Sequence, residues 1–154
     1  MDILVFAVDT HRYALPARDV DQVVRAVTIT PLPGAPLVVE GVIDVHGTLV
    51  PVLDLRRRFG LPAQAPALSD LLIIASAPSR RVALRVGDSA SILKIDPASL
   101  DRSGESLTQS PWVAGLAKLS DGIVVIHDLA LFLSESESES LAKALADKTP
   151  LRVA

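Results

Sequence analysis

Apolar positions in this chain come in short runs, such as "LLIIA" from Leu71 and "GIVVI" from Gly122, punctuated by Gly, Pro, Asp and Ser. That is the pattern of many short β-strands. Strands are predicted near 2–9, 11–16, 19–29, 40–46, 48–53, 70–77, 81–87, 89–95, 112–119 and 122–127. Two hairpins carry turn chemistry, His46-Gly47 in the first half and Asp121-Gly122 in the second. Asp-Gly supplies residues that tolerate the positive φ of a tight turn.

The two halves resemble one another. "GVIDVHGTLVPVLDLRRRFG" from Gly41 aligns without a gap on "GLAKLSDGIVVIHDLALFLS" from Gly115, with Gly41/Gly115, Val50/Val124, Asp54/Asp128 and Leu55/Leu129 identical. Upstream, "DILVFAVD" from Asp2 resembles "DLLIIASA" from Asp70, and "YALP" at Tyr13 resembles "VALR" at Val82. A repeat of this size implies two similar subdomains and a surface between them that neither half has alone. Five short strands per half suit a small, partly open barrel. The expected division is a single domain over 1–134 built of two pseudo-repeats, about 2–60 and 69–134, with strand exchange between them allowed.

The connections differ from the repeats. Pro31, Pro33 and Pro36 make "TPLPGAPL" a rigid link, because proline fixes φ and restricts its predecessor. "GLPAQAPALS" (60–69) reads as the crossover between halves, and "DRSGESLTQSP" (101–111) as its counterpart. Residues 135–154 are read as an acidic linker, a short helix and a frayed tail. Glutamates suit a helix N-terminus, and Leu141, Ala144 and Leu145 share one helical face that would cover a barrel.

Composition narrows the function classes. Eighteen acids against 15 bases leave a net charge of −3, which gives no electrostatic support to a nucleic-acid or anionic-membrane role. The chain has no cysteine, so disulfides and thiolate metal sites are excluded and a cytoplasmic setting fits. "MDILVFAVD" has no basic segment and no long apolar stretch, so no signal peptide is expected. Mean hydropathy is +0.41, yet no apolar run approaches the roughly 18 residues of a membrane span. That hydrophobicity is assigned to the core, and no direct membrane insertion is expected. Aromatic residues are 3% of the chain, which weakens stacking on bases or sugars.

Few residues suggest chemistry. Asp54 and Asp128 hold equivalent places and invite a general acid/base reading. Each, however, ends a strand and precedes a short helical stretch, where a carboxylate caps backbone N–H groups; capping is the preferred reading. His11, His46 and His127 have neither helical spacing nor a Cys companion, so no metal site is expected. No nucleophile elbow or phosphate loop is present, and neither enzyme activity nor a cofactor is expected. Arg56, Arg57 and Arg58 form a basic run, read either as a solvated helix face or, through Arg56, as a contact for an acidic partner.

Together these residues resemble the CheW family of bacterial chemosensory scaffold proteins. "GVIDVHGTLVPVLDLRRRFG" is similar to its signature stretch, "LVFAVDTHRYALPARDVDQVVR" to its opening strands, "PLP" at Pro31 to its connecting loop, and "WVAGLAKLSDGIVVIHDLALFLS" to its C-terminal cassette. The resemblance implies a mainly β fold, two packed five-stranded barrels with short helices and a C-terminal helix. It implies an adaptor that binds the regulatory domain of a CheA-type histidine kinase and the cytoplasmic tip of a chemoreceptor, whose helix docks in an apolar groove between barrels. Carried onto this chain, the partner-binding residues are Val20 and Gln22 in "DVDQVV", Gly41 and Val42 opening "GVIDV", His46 at the hairpin tip, where the family usually has Arg, and Arg56. Gly41 is expected to be exposed to the partner, the other reading being a bulge requirement. The alternatives are a CheW-like decoy or regulator in a non-chemotaxis pathway, and a small-molecule binder or enzyme built on paired barrels.

Overall fold

In the computed structural model the described residues are 1–101 and 113–148. Trp112, most of the loop 101–111 and the residues after Lys148 lie outside them. The strands are β1 (Asp2–Val8), β2 (His11–Pro16), β3 (Val20–Arg25), β4 (Val39–Val45), β5 (Thr48–Asp54), β6 (Leu71–Ser76), β7 (Arg81–Val86), β8 (Ala90–Lys94), β9 (Leu100–Asp101), β10 (Val113–Leu119) and β11 (Gly122–His127). Among the described residues two α-helices accompany them, α1 (Leu55–Phe59) and α2 (Glu135–Lys148). The mainly β fold expected from the sequence is the fold observed. β9 was not expected, because two residues are too few to show a period.

The strands form a six-stranded sheet, β8-β1-β2-β11-β10-β9, and a five-stranded sheet, β3-β6-β7-β5-β4. Each sheet borrows its leading hairpin from the other repeat. β1 and β2 join β8–β11, whereas β6 and β7 join β3–β5. Each borrowed hairpin makes two seams, one parallel, Tyr13↔Val125 with Ala14↔Ile126 and Val52↔Ala83 with Leu53↔Leu84, and one antiparallel, β1 on β8 and β6 on β3. The repeat seen in sequence is therefore a pseudo-symmetry of pairing, and neither repeat closes a sheet by itself.

The predicted strand 19–29 stops at Arg25. Ala26 N–H still bonds Asp70 O at 2.9 Å, and the chain then crosses to β4, where Thr30 and Val42 exchange bonds of 2.9 and 2.8 Å. This crossing brings the β3 end of the sheet round to β4. In the other sheet β9 does the same, pairing Leu100 with Ala117 and Asp101 with Leu116.

Three apolar clusters explain why the strands read as continuous apolar runs. Ile3, Val5, Ala14, Ala117, Val124 and Ile126 belong to the six-stranded sheet alone. Ile43, Val45, Val50, Val52, Leu72, Ile74 and Ala83 belong to the five-stranded sheet alone. The largest cluster lies between the sheets, with Leu4, Phe6 and Leu15 meeting Leu53, Ile73, Leu84 and others. Each sheet is covered on both faces, so alternation disappears from its central strands. The faces also fix the repeat register: Ile3 matches Leu72 and Leu4 matches Ile73. The alignment of Asp2 on Asp70 is thus one residue out, a slip that would exchange the two faces of the strand.

The hairpin turns differ from each other. His46 and Gly47 have φ of 51° and 87° between the paired Val45 and Thr48, a turn of the type with two positive φ values. In β10–β11, Leu119 pairs with Gly122, so the turn is Ser120-Asp121. Gly122, at φ 142°, is the first residue of β11, and Asp121 is not at positive φ. The Asp-Gly expectation is corrected by one position.

The run 135–140 is helical from its first residue, which corrects the reading as a linker. Ser134 and Glu137 form a reciprocal cap: Glu137 N–H donates to Ser134 Oγ at 3.1 Å, and Ser134 N–H donates to Glu137 Oε1 at 2.9 Å. Arg58 donates to Glu137 Oε2 at 2.6 Å. Leu141 and Ala144 then bury themselves in the inter-sheet cluster, with Leu145 packed against it. Full burial of one Leu stabilises by about 2 kcal/mol, so α2 belongs to the core.

Candidate interaction surface

The repeated aspartates are caps. Asp54 accepts a bond from Arg57 N–H at 3.3 Å at the start of α1, and Asp128 accepts one from Ala130 N–H at 3.0 Å at the start of the 3-10 turn Leu129–Leu131. Gly60 closes α1 with φ 72°, Gly60 N–H reaching Arg57 O and Leu61 N–H reaching Arg56 O.

The basic run after Asp54 is divided between separate tasks. Arg56 forks onto Asp9 in the β1–β2 turn and donates to Pro62 O at 3.1 Å. Arg58 holds α2, and Arg57 is exposed. Arg56 is therefore engaged inside the molecule and is not the open cationic contact the sequence suggested. A second arginine completes the clamp on the crossover. Arg85, its side chain 8% exposed, bonds Glu40 through Nε at 2.8 and 3.0 Å, Asp70 at 3.1 Å and Gln64 O at 3.0 Å. Burial pushes the Glu40 carboxyl up; Arg85 opposes this, while Asp54 and Asp70 add to it.

Gly41 and Val42 are buried. A bulge falls between Val39 and Gly41, and a Cβ on Gly41 would meet Ile29 and Thr30. The expectation of an exposed Gly41 is thus corrected: the bulge and the crossing strand require glycine here, and a large residue would disturb the fold. His46 is exposed at its turn, where Gly47 N–H donates to Asp44 Oδ1 at 2.7 Å. His46 and Arg56 flank opposite ends of β5, a seven-residue strand, and a strand that long spans roughly 20 Å. They do not share one site.

Val20 and Gln22 do lie together, on β3. Val20 packs on the inter-sheet cluster and Gln22 is exposed at the bulge opposite β6. β3 is an outermost strand, as is its pseudo-equivalent β8. Both carry an apolar residue that the sequence reading missed, Val23 (38% exposed) and Ile92 (59% exposed). Val23 pairs with Ile73 and Ile92 with Leu4, both members of the inter-sheet cluster. The two exposed side chains therefore continue the apolar inter-sheet face past its edges. An unexplained apolar residue on an edge strand was the available signal, but strand order is needed to see it.

An aromatic cluster packs on the inter-sheet core. Phe59 stacks on His127 at 4.8 Å, Tyr13 lies 4.5 Å from Phe59, and Phe132 lies 5.4 Å from His127. Burial, with Asp9 nearby, raises the Tyr13 pKa. The cluster joins β2, α1 and the end of β11, so it ties the two repeats together. Among the described residues no group of His, Cys, Asp or Glu could hold a metal, and no helix is long and apolar enough to cross a membrane.

Two interlocked β-barrels that share a central core, with apolar residues exposed on an outer strand of each, define a double-barrel module. Residues 2–137 match the CheW-like domain, and the chain belongs to that family. The chemotaxis protein CheW of Rhizobium meliloti (strain 1021) is 30% identical over 141 residues, covering 90% of this chain and 91% of that protein. The chemotaxis protein CheW of Thermotoga maritima is 25% identical over 134 residues, covering 87% and 88%. The crystal structure of the scaffolding protein TtCheW from Thermoanaerobacter tengcongensis superposes with a TM-score of 0.79 at 29% identity, covering 88% of this chain and 89% of that one.

Proposed function

We propose that this chain is a non-enzymatic adaptor that couples chemoreceptor tips to a CheA-type histidine kinase in a cytoplasmic chemosensory array. The observation that carries the reading is the family match across residues 2–137. The architecture supports it physically. An adaptor needs separate surfaces for unlike partners, and a pseudo-symmetric pair of barrels offers several. The inter-sheet face bordered by Val20 and Val23 on β3, and by Ile92 on β8, suits an apolar stripe of a receptor helix, with Gln22 exposed at the bulge beside it. Gly41 and Val42 act indirectly, by holding the crossing strand at Thr30, and His46 offers an exposed tip to a second partner. The engagement of Asp54 and Asp128 as caps removes the observation that favoured an enzyme.

Calorimetry with two partners from the same organism tests this. The regulatory domain of a CheA-type kinase and a cytoplasmic receptor fragment are each expected to bind saturably, one to one, near −8 kcal/mol (about micromolar). Binding of only one partner class would make the chain a decoy or regulator. Binding of neither would remove the adaptor function.

A further inference from the structure

The outer strands β3 and β8 repeat more than an apolar residue. Two positions after Val23 stands Arg25, and two after Ile92 stands Lys94, so each strand shows an apolar side chain and a base on the same face. Both bases are exposed, and neither makes an ion pair among the described residues. The acids near Arg25 are accounted for. Asp21, at the start of β3, is held by Arg81 at 3.1 Å and by Ser76 at 2.8 Å. Asp70, whose carbonyl accepts from Ala26 just beyond Arg25, directs its carboxylate to Arg85 and to Ala67 N–H. Arg25 itself stands opposite apolar Leu71, whereas Lys94 stands opposite Asp2.

We infer that these two apolar-basic pairs select an acidic amphipathic helix, with Arg25 and Lys94 each meeting a carboxylate about one helical turn from an apolar anchor. The pair on a strand is separated by about 6.6 Å, close to the 5.4 Å pitch that separates side chains along one helix face. Arg25 is the stronger of the two, because Lys94 has an acid, Asp2, as its cross-strand neighbour and Arg25 has Leu71. This inference rests on the adaptor reading and specifies the chemistry of the helical partner.

The test measures binding of the full chain to the helical receptor fragment at low and high NaCl, with the kinase regulatory domain as a second ligand. Arg25→Glu is expected to weaken receptor binding about tenfold and to flatten its salt dependence. Lys94→Glu should act in the same direction but less, and Asp2→Asn should tighten binding. Affinity for the kinase domain should stay at the wild-type value. Wild-type receptor affinity in Arg25→Glu and Lys94→Glu overturns the inference; aggregation at unchanged affinity would identify the bases as guards of an open sheet edge. Equal loss toward the kinase domain overturns it as well. A wild-type chain that binds no receptor fragment overturns the adaptor reading itself, a distinguishable result.

Discussion

Gly41 lies directly beneath Thr30. A Cβ at this position would overlap the Thr30 carbonyl oxygen and come within 2.8 Å of its carbon and 2.9 Å of Ile29 Cγ2. The same Thr30 carbonyl accepts the Val42 N–H, so it cannot withdraw without breaking the bridge to β4. Gly41→Ala is therefore expected to destabilise the fold by about 2 kcal/mol in urea denaturation. Gly115→Ala, at the equivalent position, meets Leu100 Cδ1 at 3.0 Å, a side-chain atom that can move, and should cost less. Equal effects would show that the crossing strand yields as readily as a leucine.

Buried Arg85 holds two carboxylates and a carbonyl of the crossover. Arg85→Met removes the positive charge while Glu40 and Asp70 stay largely buried, a change that typically costs about 3–5 kcal/mol. Arg56→Met breaks a fork onto the more exposed Asp9 and one bond to the Pro62 carbonyl, and should cost about 1–2 kcal/mol. Thermal melts of the two variants would rank them, and the reverse order would shift the main clamp to Asp9.

The reciprocal cap of α2 predicts a pH dependence. Burial raises the Glu137 carboxyl, but the Ser134 N–H, the Arg58 guanidinium and the Ser134 hydroxyl together outweigh it and hold the group below its ordinary 4.5. A carboxyl held below its unfolded value contributes stability above that value and loses it as pH falls through the folded one. Melting temperature should thus fall on acidification below 4.5 more steeply in the wild type than in Glu137→Gln. Ser134→Ala should cost about 1 kcal/mol at neutral pH. Parallel acid profiles for wild type and Glu137→Gln would exclude this carboxylate as the cause.

At the β4–β5 turn, two consecutive residues at positive φ favour Asn-Gly over His-Gly. His46→Asn should stabilise by a few tenths of a kcal/mol, and Gly47→Ala should destabilise by about 1 kcal/mol. His46→Arg should leave stability near wild type and strengthen binding to a partner with acidic groups at this tip, since a guanidinium offers a fixed fork of donors. Calorimetry with the kinase domain reads this directly; unchanged affinity would place the contact elsewhere.

Much of the fold was legible in the sequence because its signals are local. Short apolar runs between turn residues mark strands, Asp54 and Asp128 precede helical turns, and the identities from Gly41 to Leu55 and from Gly115 to Leu129 report the repeat. The Ser134–Glu137 spacing was also a readable helix start, although the charge of the run drew it toward a linker reading. The family resemblance rests on the same ordered motifs.

What only the tertiary structure decided is which strands meet, because pairing depends on groups far apart in the chain. Nothing local to "DILVFAVD" tells β1 to pair on one side with β2 of its own repeat and on the other with β8 of the second. Gly41 reads as an exposed glycine until Thr30 is seen above it, and Arg56 reads as a free cation until the β1–β2 turn brings Asp9 to it. Val23 and Ile92 look like ordinary strand residues in the sequence. They become surface only because β3 and β8 end their sheets, leaving an apolar face that the chain's own core stops short of covering.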